Sequence, residues 1–225
     1  MSEATAVSYT KEDHEPSATA TLVEAFRDDP IFRGIMVIDE DYNRISPYLM
    51  SSMTWMMDAS YATVDVVTLS SSTVAVAQWE PASMSLGSGL RMLVIGPKLL
   101  WKLGYKKSKI MLSMFATLEA KRHELGGNAM HLMTLGTNPS QQGKGLGSIL
   151  IKKGIDRATD LGVPCYLESS NPKNIPFYKR HGFEELERFY PYEKTGVDGD
   201  GNKFEGKGPV LTFMLRKLDV EAVVE

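Results

Sequence analysis

The chain has 225 residues, enough for one domain with a substantial core. Lys and Arg total 25 against 28 Asp and Glu, a net charge of −3 with no strongly basic block, which argues against nucleic acid as a partner. The single cysteine excludes an intrachain disulfide framework, and no apolar run is long enough to span a bilayer.

The opening Met-Ser-Glu-Ala-Thr lacks the basic and apolar regions of a signal peptide. A soluble, cytoplasmic protein with no membrane partner is expected. Ala6 to Thr10 has the character of a short strand. A helix is predicted near Pro16 to Arg27, with Leu22, Val23 and Phe26 on its apolar side, and Asp28-Asp29-Pro30 breaks it. A second helix is predicted over Tyr42 to Ala59, with Pro47 in its first turns. Two β-rich runs follow, Ala62 to Leu69 and Thr73 to Trp79. Ser70-Ser71-Ser72 separates them, which reads as a hairpin.

From Ser83 to Leu125 the composition is helical and rich in Met, an insert within a single domain spanning residues 1–225. Leu90, Leu93, Val94, Leu99, Leu100 and Leu103 suggest one helix interrupted by Gly96-Pro97. Met111, Met114, Phe115 and Leu118 suggest another. Met side chains adapt to irregular apolar shapes, so this region reads either as a pocket wall or as ordinary core. Gly126-Gly127-Asn128 then turns the chain.

His131 to Phe183 is the most informative stretch. It offers a strand from His131 to Thr137, the glycine-rich turn Gln142-Gly143-Lys144-Gly145-Leu146-Gly147, and a helix from about Leu146 to Leu161. On that helix Leu150, Ile151, Gly154, Ile155, Ala158 and Leu161 share one face, while Lys152, Lys153, Arg157 and Asp160 share the other. Gly162 and Pro164 stop it. A strand from Cys165 to Ser169 follows, with Cys165 as a small core residue. A helix N-terminus opened by glycines presents unpaired amides to an anion, and Lys144 adds positive charge. The alternative is a loop that is glycine-rich only because it is tight. The spacing is neither the dinucleotide G-x-G-x-x-G nor the triphosphate G-x-x-x-x-G-K-[ST].

Gln142-x-x-Gly145-x-Gly147 resembles the Q/R-x-x-G-x-G/A acyl-CoA signature of the GNAT superfamily of N-acetyltransferases. Leu135-Gly136-Thr137-Asn138-Pro139 upstream resembles that family's strand-then-proline approach. Asn171, Asn174, Phe177-Tyr178 and His181-Gly182-Phe183 downstream resemble its Asn…FY…GF pattern. Within the superfamily, GVPCYLESSNPKNIPFYKRHGF is most similar to the puromycin N-acetyltransferase-like branch. Weaker similarity extends to Ala25 through Pro30, to Val74 through Trp79, and to the last strand.

The resemblance implies one α/β domain with a mixed, twisted sheet of six to seven strands, helices on both faces, and a V-shaped splay between the central strands. Acetyl-CoA is the implied co-substrate and a small-molecule amine the implied partner, in a monomer or homodimer. The implied cofactor-binding residues are Leu135, Gly136 and Thr137, the turn Gln142, Gly143, Lys144, Gly145, Leu146, Gly147 and Ser148, and Asn171 with Asn174. An oxyanion donor is expected among the backbone N–H groups near Leu135 to Thr137. Phe26, Pro30, Phe32, Trp79 and Glu80 are candidate acceptor-binding residues by the same resemblance, with core packing as the alternative.

Tyr178 matches the family's general acid. A phenol of reference pKa about 10 can donate to a thiolate whose conjugate acid lies near 8.5. Many relatives keep a glutamate base where this chain has Tyr166. Residues 166 and 168 share a strand face, so Glu168 is the candidate base, with Glu80 in reserve. His14, His123, His131 and His181 form no credible metal or triad set: His131 reads as a strand start and His181 as the basic end of a short helix. No G-x-S-x-G elbow occurs.

After Phe183, strands are predicted over Glu184 to Tyr190 and Val210 to Arg216. The Val197 to Lys203 stretch between them resembles the start of a calcium loop. Lys203 stands where that loop needs Gly, and Pro209 where it needs Glu. It reads as a hairpin tip, and no metal is expected. Three functions are compatible with these features. The first is an acetyl-CoA-dependent N-acetyltransferase acting on a primary amine of a xenobiotic or antibiotic-like small molecule. The second is a protein or peptide acetyltransferase. The third is a non-catalytic acyl-CoA sensor.

Overall fold

The computed structural model describes residues 6–8, 11–35, 39–57, 63–81, 87–191, 196–197, 203–204 and 208–218. In chain order the elements are β1 (Ala6–Ser8), α1 (Lys11–Ala25), α2 (Pro30–Ile35), α3 (Asp39–Met57), β2 (Thr63–Leu69), β3 (Ser72–Glu80) and α4 (Gly87–Lys121). Then come β4 (Met130–Thr137), α5 (Leu146–Asp160), β5 (Cys165–Ser169), α6 (Ile175–Arg180), β6 (Glu184–Phe189), β7 (Gly196–Val197), β8 (Lys203–Phe204) and β9 (Leu211–Arg216). Seven strands make one mixed sheet in the order β1-β2-β3-β4-β5-β9-β6. All neighbours are antiparallel except β4 and β5, which are parallel.

Period-two alternation on β3 divides the core between two faces. Ala75, Ala77 and Trp79 join Leu150, Ile151, Ile155 and Ala158 of α5 on one side. Val76 joins Ala18 and Leu22 of α1 and Met50 of α3 on the other. Burying each large apolar side chain contributes about 1.5–3 kcal/mol, so α5 is held mainly by this face. Its Lys153 and Arg157 reach the fully buried Asp65 of β2, at 2.8 and 3.0 Å. Leu161, placed by periodicity on the apolar face, lies just beyond the helix and is exposed.

Several boundaries differ from the periodicity reading. Asp28-Asp29-Pro30 does more than break a helix, because Pro30 starts the short α2. Helix α3 starts at Asp39, so Pro47 falls about two turns inside it rather than in its first turns. Helix α4 runs through Gly96-Pro97 and breaks instead at Gly104, whose φ of 73° and ψ of 170° are non-helical. A glycine has no Cβ to oppose that backbone. A π-helical turn, Arg122–Gly126, ends the helix. The β2–β3 turn is tighter than three serines: Leu69 pairs with Ser72, and Ser70 and Ser71 take positive φ of 49° and 65°. That is the handedness a two-residue hairpin requires. The tip at 198–202 lies outside the described residues, and β7 pairs antiparallel with β8 beside it. Residues 82–86, the start of the Met-rich insert, also lie outside.

Candidate active site

The parallel pairing of β4 with β5 covers only Met130 to Leu132 against Cys165 to Leu167. Beyond it β4 stays with β3 to Thr137, while β5 stays with β9 to Ser169. The two strands therefore part like the arms of a V. The register of β3 with β4 slips at Met133, which stands as an extra residue on β4. A cavity of about 470 Å³ opens at the parting. Phe26, Phe32, Leu49, Met114, Phe115 and Leu118 supply its apolar wall, and Glu80, His131, Glu168, Asp29, Ser170 and Tyr178 its polar groups.

Tyr178 sits on α6, almost wholly buried, and borders the cavity. Its ring meets Phe177 edge-on at 5.3 Å and Phe183 at 6.1 Å, which fixes its direction. Burial raises the phenol's pKa, and the nearby Asp29 carboxylate raises it further, so the group keeps its proton. Asp29 is positioned by α2. Its Oδ1 accepts from the backbone N–H of Ile31 at 2.9 Å and Phe32 at 3.2 Å, capping that helix. Its Oδ2 accepts from the Ser170 hydroxyl. Desolvation raises the Asp29 pKa, and these donors act against the rise.

The floor of the cavity carries a row of charges drawn from three strands and the π-helical turn. Glu80 lies directly across the antiparallel ladder from His131, and His131 lies across the parallel ladder from Tyr166. His131 Nδ1 is 3.3 Å from Glu80 Oε2, and its Nε2 is 2.6 Å from Glu168 Oε2. Arg122 donates to the same Glu80 oxygen. Burial would push the imidazole down, but Glu168 and Glu80 more than offset it and hold the pKa at about 9. At neutral pH both ring N–H groups therefore donate, one to each carboxylate. Tyr166 lies beneath, 5.6 Å from the His131 ring and stacked on Phe213.

The glycine turn meets the edge of the same V. Gly143 and Gly145 have φ of 77° and 78°, with open space where a Cβ would stand. Among the described residues, the backbone N–H groups of Gly143 through Gly147 have no hydrogen-bond acceptor, while Ser148 N donates to Gly145 O at 3.0 Å. Together with the positive end of α5, these five donors fit a pyrophosphate.

The sequence pattern of the Acetyltransferase (GNAT) family matches residues 111–183, which hold β4, the glycine turn, α5, β5 and α6. A Schizosaccharomyces pombe protein named as an N-acetyltransferase, itself uncharacterised, is 25% identical over 217 residues, covering 92% of this chain and 81% of that protein. Residues 111–183 of the chain are thus similar to the GNAT acetyltransferases. A Corynebacterium glutamicum structure, described as histone acetyltransferase HPA2 and related acetyltransferase, has a TM-score of 0.65 at 24% identity. That match covers 96% of this chain and 97% of the other. Arylalkylamine N-acetyltransferase 2 of Aedes aegypti also has a TM-score of 0.65, at 13% identity, covering 96% and 100%.

The residues singled out from sequence fall in different places. Phe26, Phe32, Glu80, Leu135, Glu168, Asn174 and Tyr178 all border the cavity. Trp79 does not: it is 1% exposed and lies on the opposite face of β3, under Gly154 of α5. It is a core residue, because neighbours on a strand point to opposite faces. Pro30 is outside the cavity lining. Gly136 abuts Leu22 and Ala25 of α1, and Thr137 O accepts from the Gln142 side chain at 3.2 Å. Gln142 thus braces the turn against β4. Lys144 Nζ donates to Gln141 Oε1 at 2.7 Å. Leu146 is buried as an anchor of α5, and Gly147 leaves room for the Phe177 ring. Asn171 Oδ1 accepts from Lys173 N and caps a short 3-10 turn, whereas Asn174 reaches the cavity.

Four groups around the cavity were not singled out from sequence. His131 stands at the start of β4, as its sequence context predicts, and it also joins two carboxylates. Arg122 lies outside every motif, and Asp29 and Ser170 lie in stretches of resemblance that assign them no role. The available signal was the shared face of residues 131, 166 and 168, which becomes visible once β4 and β5 are set in register.

Proposed function

We propose that the chain transfers an acetyl group from acetyl-CoA to a primary amine of a small molecule, by direct attack with both substrates bound. The observation that carries this reading is the cavity, where the Tyr178 phenol and the Glu168 carboxylate border one space with a mostly apolar wall. A volume of about 470 Å³ suits a small molecule, whereas an extended peptide calls for a through-going groove. The arylalkylamine acceptors named for the Aedes aegypti structure and the similarity of residues 162–183 to puromycin N-acetyltransferases support the same class, an amine on an apolar body.

Acetyl-CoA, when bound, supplies the activated thioester carbonyl. The amides of Gly143 to Gly147 would hold its pyrophosphate, and the free side of β4 near Leu135 would receive its arm much as an added strand. An alkylammonium of pKa about 10 is almost wholly protonated at neutral pH, so the nucleophile must first lose a proton. Glu168 takes it. His131, already a cation, does not compete as base; it donates to one Glu168 oxygen and fixes the carboxylate's orientation. Tyr178 donates its proton to the departing sulfur, for which a phenol kept neutral by burial is suited.

Thiol release from acetyl-CoA, followed across arylalkylamines, linear polyamines, puromycin and short peptides, tests this reading. Release that needs an apolar amine, with kcat reduced roughly 10²–10⁴-fold in both Tyr178→Phe and Glu168→Gln, is the expected result. Residual activity of Glu168→Gln should rise with pH as the ammonium deprotonates unaided. A response to peptides alone would replace the small-molecule reading. Unchanged rates in either variant would remove that residue from its role.

A further inference from the structure

The charged groups around the cavity constrain what an acceptor can carry beside its amine. Among the described residues that line it, Asp29, Glu80, Glu119 and Glu168 are acidic, and Arg122 and His131 are basic. The acids outnumber the bases by two. Protonating Asp29, whose pKa desolvation raises, would still leave the lining negative. Deprotonating His131 would make it more so. A space of this sign, walled mostly by apolar side chains, favours a cation and opposes an anion.

Both bases are already committed. Arg122 donates to Glu80 from one terminal nitrogen and reaches Pro81 O at 3.5 Å from the other. The two ring nitrogens of His131 meet Glu80 at 3.3 Å and Glu168 at 2.6 Å. Turning either base toward a bound anion would leave a buried carboxylate short of its partner. The donors to Asp29 are uncharged: the Ile31 and Phe32 amides and the Ser170 hydroxyl. Glu119 stands on the α4 wall about one turn after Phe115, and His123 Nε2, 3.2 Å from it, belongs to a residue outside the lining.

We propose that the acceptor is an amine with no carboxylate on its amine-bearing carbon, and that the cavity rejects the parent α-amino acid by charge. This inference rests on the acetyl-transfer reading, which seats the amine against Glu168. An α-carboxylate is only two bonds from the nitrogen. An amino acid held by its amine therefore cannot keep that group in solvent, and brings a second carboxylate beside Glu168. Like charges set so close in a space of low dielectric repel far more strongly than in water. An uncharged group on the same carbon meets no such repulsion, so the selection acts on charge and not on size. Decarboxylation of an amino acid breaks the bond to the carboxylate, releases CO2 and puts a proton in its place. That is the class of reaction that supplies an amine of the accepted kind.

The test is isothermal titration of the whole chain at neutral pH, with coenzyme A present and no acetyl donor, so that nothing turns over. The ligands are phenethylamine, phenylalanine and phenylalaninol, in which an uncharged CH2OH replaces the carboxylate. Phenethylamine and phenylalaninol should bind, and phenylalanine should bind roughly 10²-fold more weakly than phenylalaninol. Glu119→Gln should narrow that gap about threefold, and Glu119→Lys further, because each makes the lining less negative. The gap is a ratio within one variant, so a general loss of fold does not imitate its narrowing. Phenylalanine binding within about threefold of phenylalaninol, or a gap that neither variant changes, would overturn the proposal and leave amine acetylation standing. The full gap without thiol release when acetyl-CoA is supplied would uphold the charge selection and remove the catalytic reading. Binding of none of the three ligands would overturn both.

Discussion

His131 Nε2 lies 2.6 Å from Glu168 Oε2, on strands that stay paired for only three residues before they part. The contact places a charged imidazole at the point where the sheet opens. With Glu80 on its other nitrogen, His131 carries a pKa of about 9.

That value makes a prediction about stability. A histidine in the unfolded chain titrates near 6.5, and this one is raised in the fold, so its contribution is fully present below pH 6.5. It is lost as pH rises through about 9. The shift corresponds to roughly 3 kcal/mol, less whatever the partners lose elsewhere. The groups facing the ring are Glu80 on β3, Glu168 and Tyr166 on β5, and Arg122 on the same Glu80 oxygen. Urea midpoints of wild type and His131→Gln should converge between pH 6.5 and 9. Parallel curves across that window would show that the imidazole is not held as a cation.

Arg122 offers a second check. It and Glu80 are both almost wholly buried, and their contact removes two charges from water together. Arg122→Leu should cost up to about 3–5 kcal/mol, because it takes away one of the two cations that face the buried Glu80 carboxylate and leaves His131. Adding Glu80→Gln should return part of that loss, as a double-mutant cycle in chemical denaturation would measure. Additive losses would mean that the pair does not act as a unit.

Gly145 separates binding from chemistry. Its φ of 78° opens α5 in the left-handed region, where an alanine costs about 1–2 kcal/mol. Gly145→Ala should raise the KM for acetyl-CoA severalfold, because the amides from Gly143 to Gly147 are reoriented. The value of kcat with saturating substrate should stay near wild type. A fall in kcat with unchanged KM would place the glycine turn outside the binding site.

Gly154 is a matter of packing alone. A Cβ there would stand 2.0 Å from the Trp79 ring. Gly154→Ala should therefore lower stability by about 1–3 kcal/mol or more, and a Trp79→Phe background should relieve part of it. Equal losses in both backgrounds would show that the clash is absorbed elsewhere.

The sequence by itself determined the local elements and the order in which they come. Periodicity on Leu150, Ile151, Ile155 and Ala158 fixed the buried face of α5, and Gly162 with Pro164 fixed its end, because these signals act within one or two turns of chain. The α/β class and the glycine turn were legible for the same reason. Strand order and register decided the rest. Period two showed only that Trp79 and Glu80 point opposite ways. Which of them reached the cavity depended on the helix that covers each face, and α5 took Trp79. His131, Glu80 and Glu168 lie 51 and 37 residues apart along the chain. Their meeting is a property of β3, β4 and β5 lying side by side. Arg122 joined them through a π-helical turn that the hydrophobic pattern does not encode. Charges that burial forces together are set by tertiary register, since no local backbone preference distinguishes a lone histidine at the start of a strand from one held between two carboxylates.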